Sequence, residues 1–426
     1  MNESRSANEL EKKKERAVLC GLAAACFAPG ESSTDVSMAE LAALVETAGG
    51  EPVAYLVQNR AAPDPRSFIG EGKEEELCGL IEANGCDLVV FDNELSPSQM
   101  RVLSEDLKIK VMDRSGLILD IFAQRARTRE GQLQVELAQY KYLLPRLLGM
   151  WTHLERQEGA IGTRGPGETQ LESDRRHIRR KIQKLESELA EVRKNRAAQR
   201  RRREKNEMPT VALVGYTNAG KSTLLNRLTG SDIPANDRLF DTLDTTTRRL
   251  QLAEAQEVLL SDTVGFIRKL PTHLIEAFKA TLEELQYADV LLHVIDMSSE
   301  EWRSQVEIVD ALIAQLGAEG TPCIRVYNKC DISPDLLPRE AGSVCISAKT
   351  GEGIEALLRR ISDILGQSLH RAVFLIPYDK GALVQLLHDE GNVLTLDYAE
   401  TGTRIEAVVK PELWARVREF AEEIIK

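Results

Sequence analysis

The chain has 426 residues, of which 42% are hydrophobic and 29% charged, a composition typical of a folded protein with about two to four domains. Its net charge is −12 and its seven cysteines include no C-x-x-C pair, which disfavours a disulfide framework and a zinc site. No apolar run reaches the roughly 18 residues of a membrane-spanning helix, and residues 1–16 lack the apolar core of a signal peptide, so a cytoplasmic protein is expected.

Residues 1–130 are predicted to form an α/β domain with a parallel sheet, because strand-like and helix-like segments alternate. The predicted strands lie at 18–22, 53–57, 88–91 and 110–112, and the predicted helices at 38–46, 74–82 and 97–107. The segment Gly70-Glu71-Gly72-Lys73 has two interpretations. It is either a second phosphate loop, which would bind ATP, or the start of a helix after a turn.

Residues 131–206 are predicted to form an antiparallel coiled-coil hairpin. Two heptad stripes support this: Leu133, Leu137, Tyr140, Leu144, Leu147, Trp151 and Leu154, then Leu171, Ile178, Ile182, Leu185, Leu189 and Val192. The connection between them can only reverse the chain, so Leu133 should lie near Val192 and the protein should be a monomer. A homodimer formed by the same stripes is the alternative. Pro145 lies inside the first helix and is expected to kink it.

The hairpin combines a glycine-rich tip with a basic arm. Four glycines and a proline lie between positions 159 and 168, where no helix is expected. Basic residues follow at Arg175, Arg176, Arg179, Arg180, Lys181 and Lys184, and residues 193–205 are almost continuously basic. Positive charge concentrated on one arm of an acidic chain favours binding to RNA phosphates. A flexible connector and a solvated helix face are the alternative interpretations.

A phosphate-loop pattern, G-x-x-x-x-G-K-[ST], occupies residues 215–222 between a predicted buried strand and a predicted helix. The nucleotide-binding residues predicted here are Gly215, Tyr216, Thr217, Asn218, Ala219, Gly220, Lys221, Ser222 and Thr223. In such a loop the backbone N–H groups surround the β-phosphate, and Lys221 would add positive charge between the β- and γ-phosphates. Ser222 would offer its hydroxyl to Mg²⁺.

Two segments that would sense the γ-phosphate follow. A polar, threonine-rich stretch predicts a mobile switch made of Phe240, Asp241, Thr242, Leu243 and Asp244. The next predicted strand ends in Asp262, Thr263, Val264 and Gly265. Thr242 and Asp262 would hold Mg²⁺ together with Ser222, and the N–H of Gly265 would face the γ-phosphate. Lys221, Thr242 and Gly265 are therefore the predicted catalytic residues.

The base-recognition signatures come last, at the ends of two further predicted strands. They consist of Asn328, Lys329 and Asp331, followed by Ser347, Ala348 and Lys349. The carboxylate of Asp331 can accept from guanine N1–H, which adenine lacks, so the pattern selects guanine. All these signatures, in order, predict a P-loop GTPase domain at 207–368.

Phe266 occupies the position where many small GTPases place a glutamine that orients the attacking water. Phenylalanine has no group that could hold this water. Either another group orients the water, or a partner completes the site.

Residues 369–426 are predicted to form a small α+β domain that leans on the GTPase domain, since about 55 residues is marginal for a free domain. Strands are predicted at 373–377, 393–398 and 403–409, with one helix near 379–387 and a last helix from Pro411.

Over nearly its full length the chain resembles the HflX-type GTPases, of the Obg–HflX branch of translation-associated GTPases. The most specific segments are Ser67–Lys73, Arg164–Arg176 with the sequence RGPGETQLESDRR, Gly215–Thr223, and Asp262–Pro271 with the sequence DTVGFIRKLP. The resemblance implies the four-part α/β architecture given above, with Phe266 in agreement. It also implies a Mg²⁺-dependent GTPase that binds the large (50S) ribosomal subunit and its rRNA and is stimulated there.

The same resemblance implies a glycine-rich tip directed at the peptidyl-transferase centre and a role in splitting or rescuing ribosomes under stress. Some members of the family also bind ATP through the N-terminal domain, so an ATP-driven RNA or ribosome remodeller that uses Lys73 is the alternative function. We expect a cytoplasmic protein without stable membrane insertion, and peripheral association with a membrane stays open.

Overall fold

The computed structural model describes residues 14–27, 31–150, 166–205, 208–231, 239–240, 246–252, 257–271, 274–275, 285–332, 340, 342–367, 370–399, 401–409 and 411–425. Several predictions fall outside these ranges, including those for Trp151, Leu154, Asp241, Thr242, Leu243 and Asp244. Among the described helices, none is long and apolar enough to cross a membrane.

The N-terminal part is a four-stranded parallel sheet of order β2-β1-β3-β4 flanked by helices, as predicted. Its strands are β1 Arg16–Ala24, β2 Glu51–Arg60, β3 Leu88–Phe91 and β4 Lys110–Asp113. Its helices are α1 Asp35–Ala48, α2 Glu71–Asn84, α3 Pro97–Leu107 and α4 Arg114–Arg125. Helix α4 was not predicted, although its buried Leu117, Ile118, Ile121 and Phe122 recur at helical spacing. Asp113 caps it by accepting a hydrogen bond from the N–H of Gly116.

The predicted hairpin consists of α5 Arg129–Met150 and α6 Pro166–Lys205. One apolar cluster joins the two helices and contains Leu133, Leu137, Leu185 and Leu189, with Tyr140, Ile182 and Val192 packed against it. The antiparallel pairing is therefore confirmed for the described part. The prediction that residues up to Glu168 are non-helical was wrong, because α6 begins at Pro166. Proline suits the first helical position, where its missing N–H would have no helical acceptor.

The GTPase domain is a six-stranded sheet of order β10-β9-β8-β5-β7-β6. Its strands are β5 Thr210–Gly215, β6 Thr246–Gln251, β7 Glu257–Asp262, β8 Val290–Asp296, β9 Cys323–Asn328 and β10 Val344–Cys345. Its helices are α7 Lys221–Thr229, α8 Trp302–Gln315 and α9 Ile354–Gln367. All neighbouring strands are parallel except β6, which pairs antiparallel with β7 at the edge. The carboxyl ends of β5, β7, β9 and β10 therefore lie along one edge of the sheet. Strand β6 and helix α8 were not predicted.

The C-terminal part is a four-stranded antiparallel sheet of order β12-β13-β11-β14. Its elements are β11 His370–Ile376, α10 Gly381–Glu390, β12 Asn392–Ala399, β13 Gly402–Val409, α11 Pro411–Val417 and β14 Ala421–Ile425. The helix predicted from Pro411 ends at Val417, and β14 follows it and pairs with β11. Pairing with this otherwise open edge outweighs a local helical tendency in the last residues.

One apolar core continues from the N-terminal domain into the GTPase domain. Buried residues of α1 and α4 belong to the same cluster as Tyr216, Val264 and Phe266. Within it, the rings of Phe122 and Phe240 meet edge to face, with centroids 4.7 Å apart. The phosphate loop is thus packed against a neighbouring domain as well as against its own sheet.

Candidate nucleotide site

The phosphate loop lies between the end of β5 at Gly215 and the start of α7 at Lys221. Gly220 precedes the helix with φ +93°, and a side chain there would clash with the amide nitrogen of Asn328. Only glycine meets both conditions without strain. The backbone N–H groups at the start of α7 are thereby left open to an anion, which the helix dipole also favours.

Lys221 is buried beneath this loop. Its Nζ donates to the carbonyl of Gly215 at 3.1 Å and to that of Tyr216 at 2.7 Å. Burial lowers the pKa of Lys221 to about 8, although Asp262 nearby favours the charged form. Neutral carbonyl oxygens stabilise the buried positive charge of Lys221 less well than anionic phosphate oxygens would. The position of Lys221 therefore fits a loop that binds the phosphates of a nucleotide.

Two of the three predicted magnesium residues are brought together. The hydroxyl of Ser222, in the first turn of α7, donates to Oδ2 of Asp262 at the end of β7, at 2.8 Å. Both groups offer hard oxygen atoms, as Mg²⁺ requires, so the donor set fits this ion. Thr242, the third predicted metal residue, lies outside the described residues.

The segment after β7 passes directly in front of the phosphate loop. The hydroxyl of Thr263 donates to the carbonyl of Leu213 at 2.6 Å, which fixes the start of the segment. Phe266 exchanges two backbone hydrogen bonds with the loop: its N–H donates to Gly215 at 3.1 Å and its carbonyl accepts from Thr217 at 2.7 Å. The ring of Phe266 is buried in the shared core and has no polar atom to hold water.

Asn328 ties the base-recognition loops to the phosphate loop. Its Nδ2 donates to the carbonyl of Ala219 at 2.8 Å, and its Oδ1 accepts from the N–H of Ala348 at 3.0 Å. Lys329, with φ +64°, extends its Nζ to Asp296 at 2.7 Å. The three predicted loops are therefore held in one arrangement by side chains at strand ends.

The remaining base-recognition residues divide by exposure. Asp331 and Lys349 are exposed, while Ser347 and Ala348 are buried. A carboxylate at the surface beside a buried backbone segment can be reached by a base that enters from solvent.

A buried ionic cluster, which no motif in the sequence indicates, joins the N-terminal domain to the GTPase domain. Asp92 follows β3 and accepts a hydrogen bond from Arg114 at 2.9 Å. It also accepts from the hydroxyls of Ser33 at 2.7 Å and Ser37 at 2.8 Å, and it pairs with Lys269 of the GTPase domain. Burial alone would raise the pKa of Asp92, but the charges of Arg114 and Lys269 outweigh it and hold this pKa below its usual value.

Tyr216 of the phosphate loop contacts the same cluster. Its hydroxyl donates to Glu40 of α1 and accepts from the N–H of Arg268 at 2.8 Å. Arg114 pairs with Glu40 and also donates to the carbonyl of Arg268 at 3.1 Å. The side chain of Tyr216 therefore faces the N-terminal domain, and only its backbone belongs to the phosphate cradle. A polar pair after a buried strand, Asp92-Asn93, was the sequence signal that could have indicated this contact.

The segment from Gly70 to Lys73 begins a helix in the structure. Gly70 is the residue before α2, and Lys73 lies in its first turn, where its Nζ pairs with Glu76 at 2.7 Å. A side chain at Gly72 would meet nothing within 4 Å, so close backbone approach does not require glycine at that position. Of the two interpretations, the structure describes the helix start, and ATP binding here stays a prediction.

Some charged side chains of the hairpin pair across its two helices, and others are exposed. Lys141 pairs with Glu186 at 2.8 Å, and Lys181 with Glu136 at 3.5 Å, so these lysines link the two helices. On α6, the arginines Arg176, Arg179, Arg180 and Arg193 are exposed. For residues 195–205 the helix is described but not the side chains.

Comparisons with known proteins cover most of the chain. Three family models match, described as GTP-binding GTPase N-terminal over residues 35–123, GTP-binding GTPase middle region over 125–203 and 50S ribosome-binding GTPase over 210–329. A protein of Caldanaerobacter subterraneus subsp. tengcongensis named GTPase HflX is 47% identical over 412 residues, which is 97% of this chain and 95% of that protein.

The Escherichia coli protein of the same name is 47% identical over 351 residues, which is 81% of this chain and 82% of that protein. Among solved structures, the crystal structure of an SsGBP–GDP complex is 25% identical and covers 83% of this chain and 99% of that chain. Its TM-score against this chain is 0.46.

Proposed function

The chain belongs to the HflX family of GTPases, and on that basis we propose a Mg²⁺-dependent GTPase that docks on the large ribosomal subunit, is stimulated there, and splits or rescues ribosomes under stress. The proposal depends most on how the loops meet at one edge of the sheet. Asn328 bonds to the phosphate loop at Ala219 and to the base-recognition loop at Ala348. The Ser222–Asp262 contact brings together two of the proposed Mg²⁺ ligands. A basic hairpin on the same chain provides a surface for RNA.

The roles of the phosphate-side residues follow from their positions. Lys221 leaves its loop carbonyls for the β- and γ-phosphates, and the N–H of Gly265 meets the γ-phosphate. Ser222, Asp262 and Thr242 would hold Mg²⁺, which supplies neutralisation of the charge that develops on the phosphates. Lys221, Thr242 and Gly265 are the residues we propose to act in hydrolysis of GTP to GDP and phosphate.

The proposed base side uses Asp331 for guanine N1–H and the backbone of Ser347, Ala348 and Lys349 for guanine O6. Asn328 holds these two segments at a fixed separation through its bond to Ala348. The groups that recognise guanine are thus held in place before the nucleotide binds. A base without the matching donor and acceptor would leave these groups unpaired, which gives strong discrimination against it.

Ribosome docking is assigned to the hairpin. Exposed Arg176, Arg179 and Arg180, and the basic residues 193–205, would contact rRNA phosphates, and the glycine-rich tip would approach RNA closely. We place the protein in the cytoplasm, where its ribosomal partner is found.

The test is single-turnover GTP hydrolysis with and without purified large subunits. We expect slow hydrolysis by the free protein, and stimulation by subunits of about 10²-fold or more, the scale on which completing a GTPase site acts. Lys221→Ala should abolish both rates. Fast hydrolysis by the free protein with no gain on adding subunits would refute the proposal.

The docking surface is tested by replacing Arg200, Arg201, Arg202 and Arg203 with glutamine. Subunit binding should weaken, and the slope of affinity against salt should become flatter because fewer counterions are released. The matched control removes the same charge from exposed arginines elsewhere, namely Arg66, Arg249, Arg359 and Arg404. Equal slopes for both variants would show that the arm is only a solvated helix.

A further inference from the structure

Arg227, in the last turn of α7, connects the helix of the phosphate loop to the second base-recognition loop. Its Nη2 donates to the carbonyl of Thr350 at 2.9 Å. The guanidinium also packs against the backbone of Gly351, because a Cβ atom built there would lie 2.1 Å from Nη2 and 3.0 Å from Nε. Among the residues that the structure describes, no carboxylate pairs with Arg227, so the contact that this side chain makes is with the loop.

The loop at residues 347–352 is a tight turn whose backbone donors are mostly bonded within the protein. Bonds inside the turn, at 3.0, 3.1 and 2.8 Å, use the N–H groups of Ser347, Thr350 and Gly351. The N–H of Ala348 donates to Oδ1 of Asn328 at 3.0 Å, outside the turn. These donors are therefore unavailable to a base as long as the turn keeps this form.

Lys349 differs from its neighbours in this turn. Its backbone N–H has no hydrogen-bond partner among the described residues, and the residue is exposed. The residue before it, Ala348, is held by Asn328, and the residue after it, Thr350, is held by Arg227. A free donor thus lies between two contacts that each lead back to the phosphate loop or its helix.

We propose that Arg227 is a positioning residue for base recognition, which holds the turn so that the N–H of Lys349 donates to O6 of guanine. Adenine carries an amino group at that position, so two donors would face each other. This inference rests on the proposed GTPase site and adds a residue that touches neither phosphate nor base. Arg227 would act through the carbonyl of Thr350, by keeping the outer end of the turn in place.

Two analogues of GDP distinguish the contacts made to the base. In 6-thio-GDP a sulfur atom, which is a weak acceptor, replaces O6. IDP lacks only the exocyclic amine, which is on the side of the base proposed to face Asp331. Wild type should bind GDP about five- to tenfold more tightly than 6-thio-GDP, the scale of one hydrogen bond. Competition against a fluorescent GDP analogue measures all three affinities without turnover.

Arg227→Met keeps the apolar part of the side chain and removes the guanidinium. The preference for GDP over 6-thio-GDP should fall to about twofold or less, whereas the preference for GDP over IDP should stay as in wild type. Arg227→Lys keeps one charged donor and should retain an intermediate preference for GDP over 6-thio-GDP. The matched control is Arg359→Met, which removes an exposed arginine of α9 that pairs with Glu355 at 3.3 Å, and it should behave as wild type. Thermal melting followed by circular dichroism checks that each variant is folded.

Three results would overturn the inference. An unchanged preference for GDP over 6-thio-GDP in Arg227→Met would show that the turn keeps its position without the guanidinium. An equal fall of both preferences would assign the effect to general loosening of the base site. The same fall in Arg359→Met would assign it to loss of positive charge. Failure of wild type to bind GDP would instead refute the proposed GTPase site, so the two failures are distinguishable.

Discussion

Replacing Asp92 with asparagine would test the buried ionic cluster between the two domains. Asparagine keeps the size of the side chain but removes the charge that Arg114 and Lys269 share. Both cations are nearly buried, and Glu40 would remain as the carboxylate for Arg114 alone. Breaking a buried ion pair by removing one partner costs about 3 to 5 kcal/mol, so we expect a loss of that size in the free energy of unfolding at pH 7.

The assay is urea unfolding followed by circular dichroism. The control is Glu257→Gln, because Glu257 pairs with Arg249 at 3.8 Å with side chains 48% and 73% exposed, and this change should cost less than about 1 kcal/mol. Since the folded-state pKa of Asp92 is depressed, its contribution is present above the unfolded pKa of about 3.9 and is lost as pH falls further toward the folded pKa. Equal, small effects of both variants at pH 7 would refute the reasoning.

Three further predictions concern the nucleotide site. Asn328→Ala removes the bonds to Ala219 and Ala348, so affinity for a fluorescent GDP analogue should fall by about 10- to 10²-fold; unchanged affinity would show that the loops keep their positions without it. Asp331→Asn places a donor opposite guanine N1–H, so competition binding should favour xanthosine over guanosine triphosphate, and a retained preference for GTP would mean that Asp331 does not contact the base. Burial lowers the pKa of Lys221 to about 8, and phosphates favour its charged form, so GDP binding at pH 8 should take up about half a proton and weaken as pH rises. Calorimetry in two buffers of different ionisation enthalpy measures this proton uptake. Equal binding heats in the two buffers would contradict the prediction.

Local patterns in the sequence predict most of the strands and helices of the fold. The inner strands β1, β3, β5 and β8 consist mainly of apolar residues, and the phosphate loop combines a fixed glycine, lysine and serine spacing with a strand before it and a helix after it. Strand β6, by contrast, has the mostly polar sequence TTRRLQ, and its assignment depends on pairing with β7. Likewise β14 is a strand because it pairs with β11. Such non-local pairing has no periodic signature in the sequence.

The surroundings of the site were less accessible from the sequence than its motifs. Asp92, Arg114 and Lys269 are far apart in the chain, and nothing in their spacing indicates that they form one ionic cluster. Tyr216 was assigned to nucleotide binding by its place in the motif, whereas its hydroxyl contacts Glu40.

The apolar core shared by Phe122 and Phe240 also determines how the protein should melt. Burial of one phenylalanine side chain contributes about 1.5 to 3 kcal/mol, and in this core phenylalanines from both domains depend on each other. Neither domain can unfold without exposing apolar surface of the other, so we expect both to share one calorimetric transition. A shortened chain that begins at β5 would place Phe240 and Phe266 against water, and its kinetics would describe a GTPase domain with altered packing around the phosphate loop.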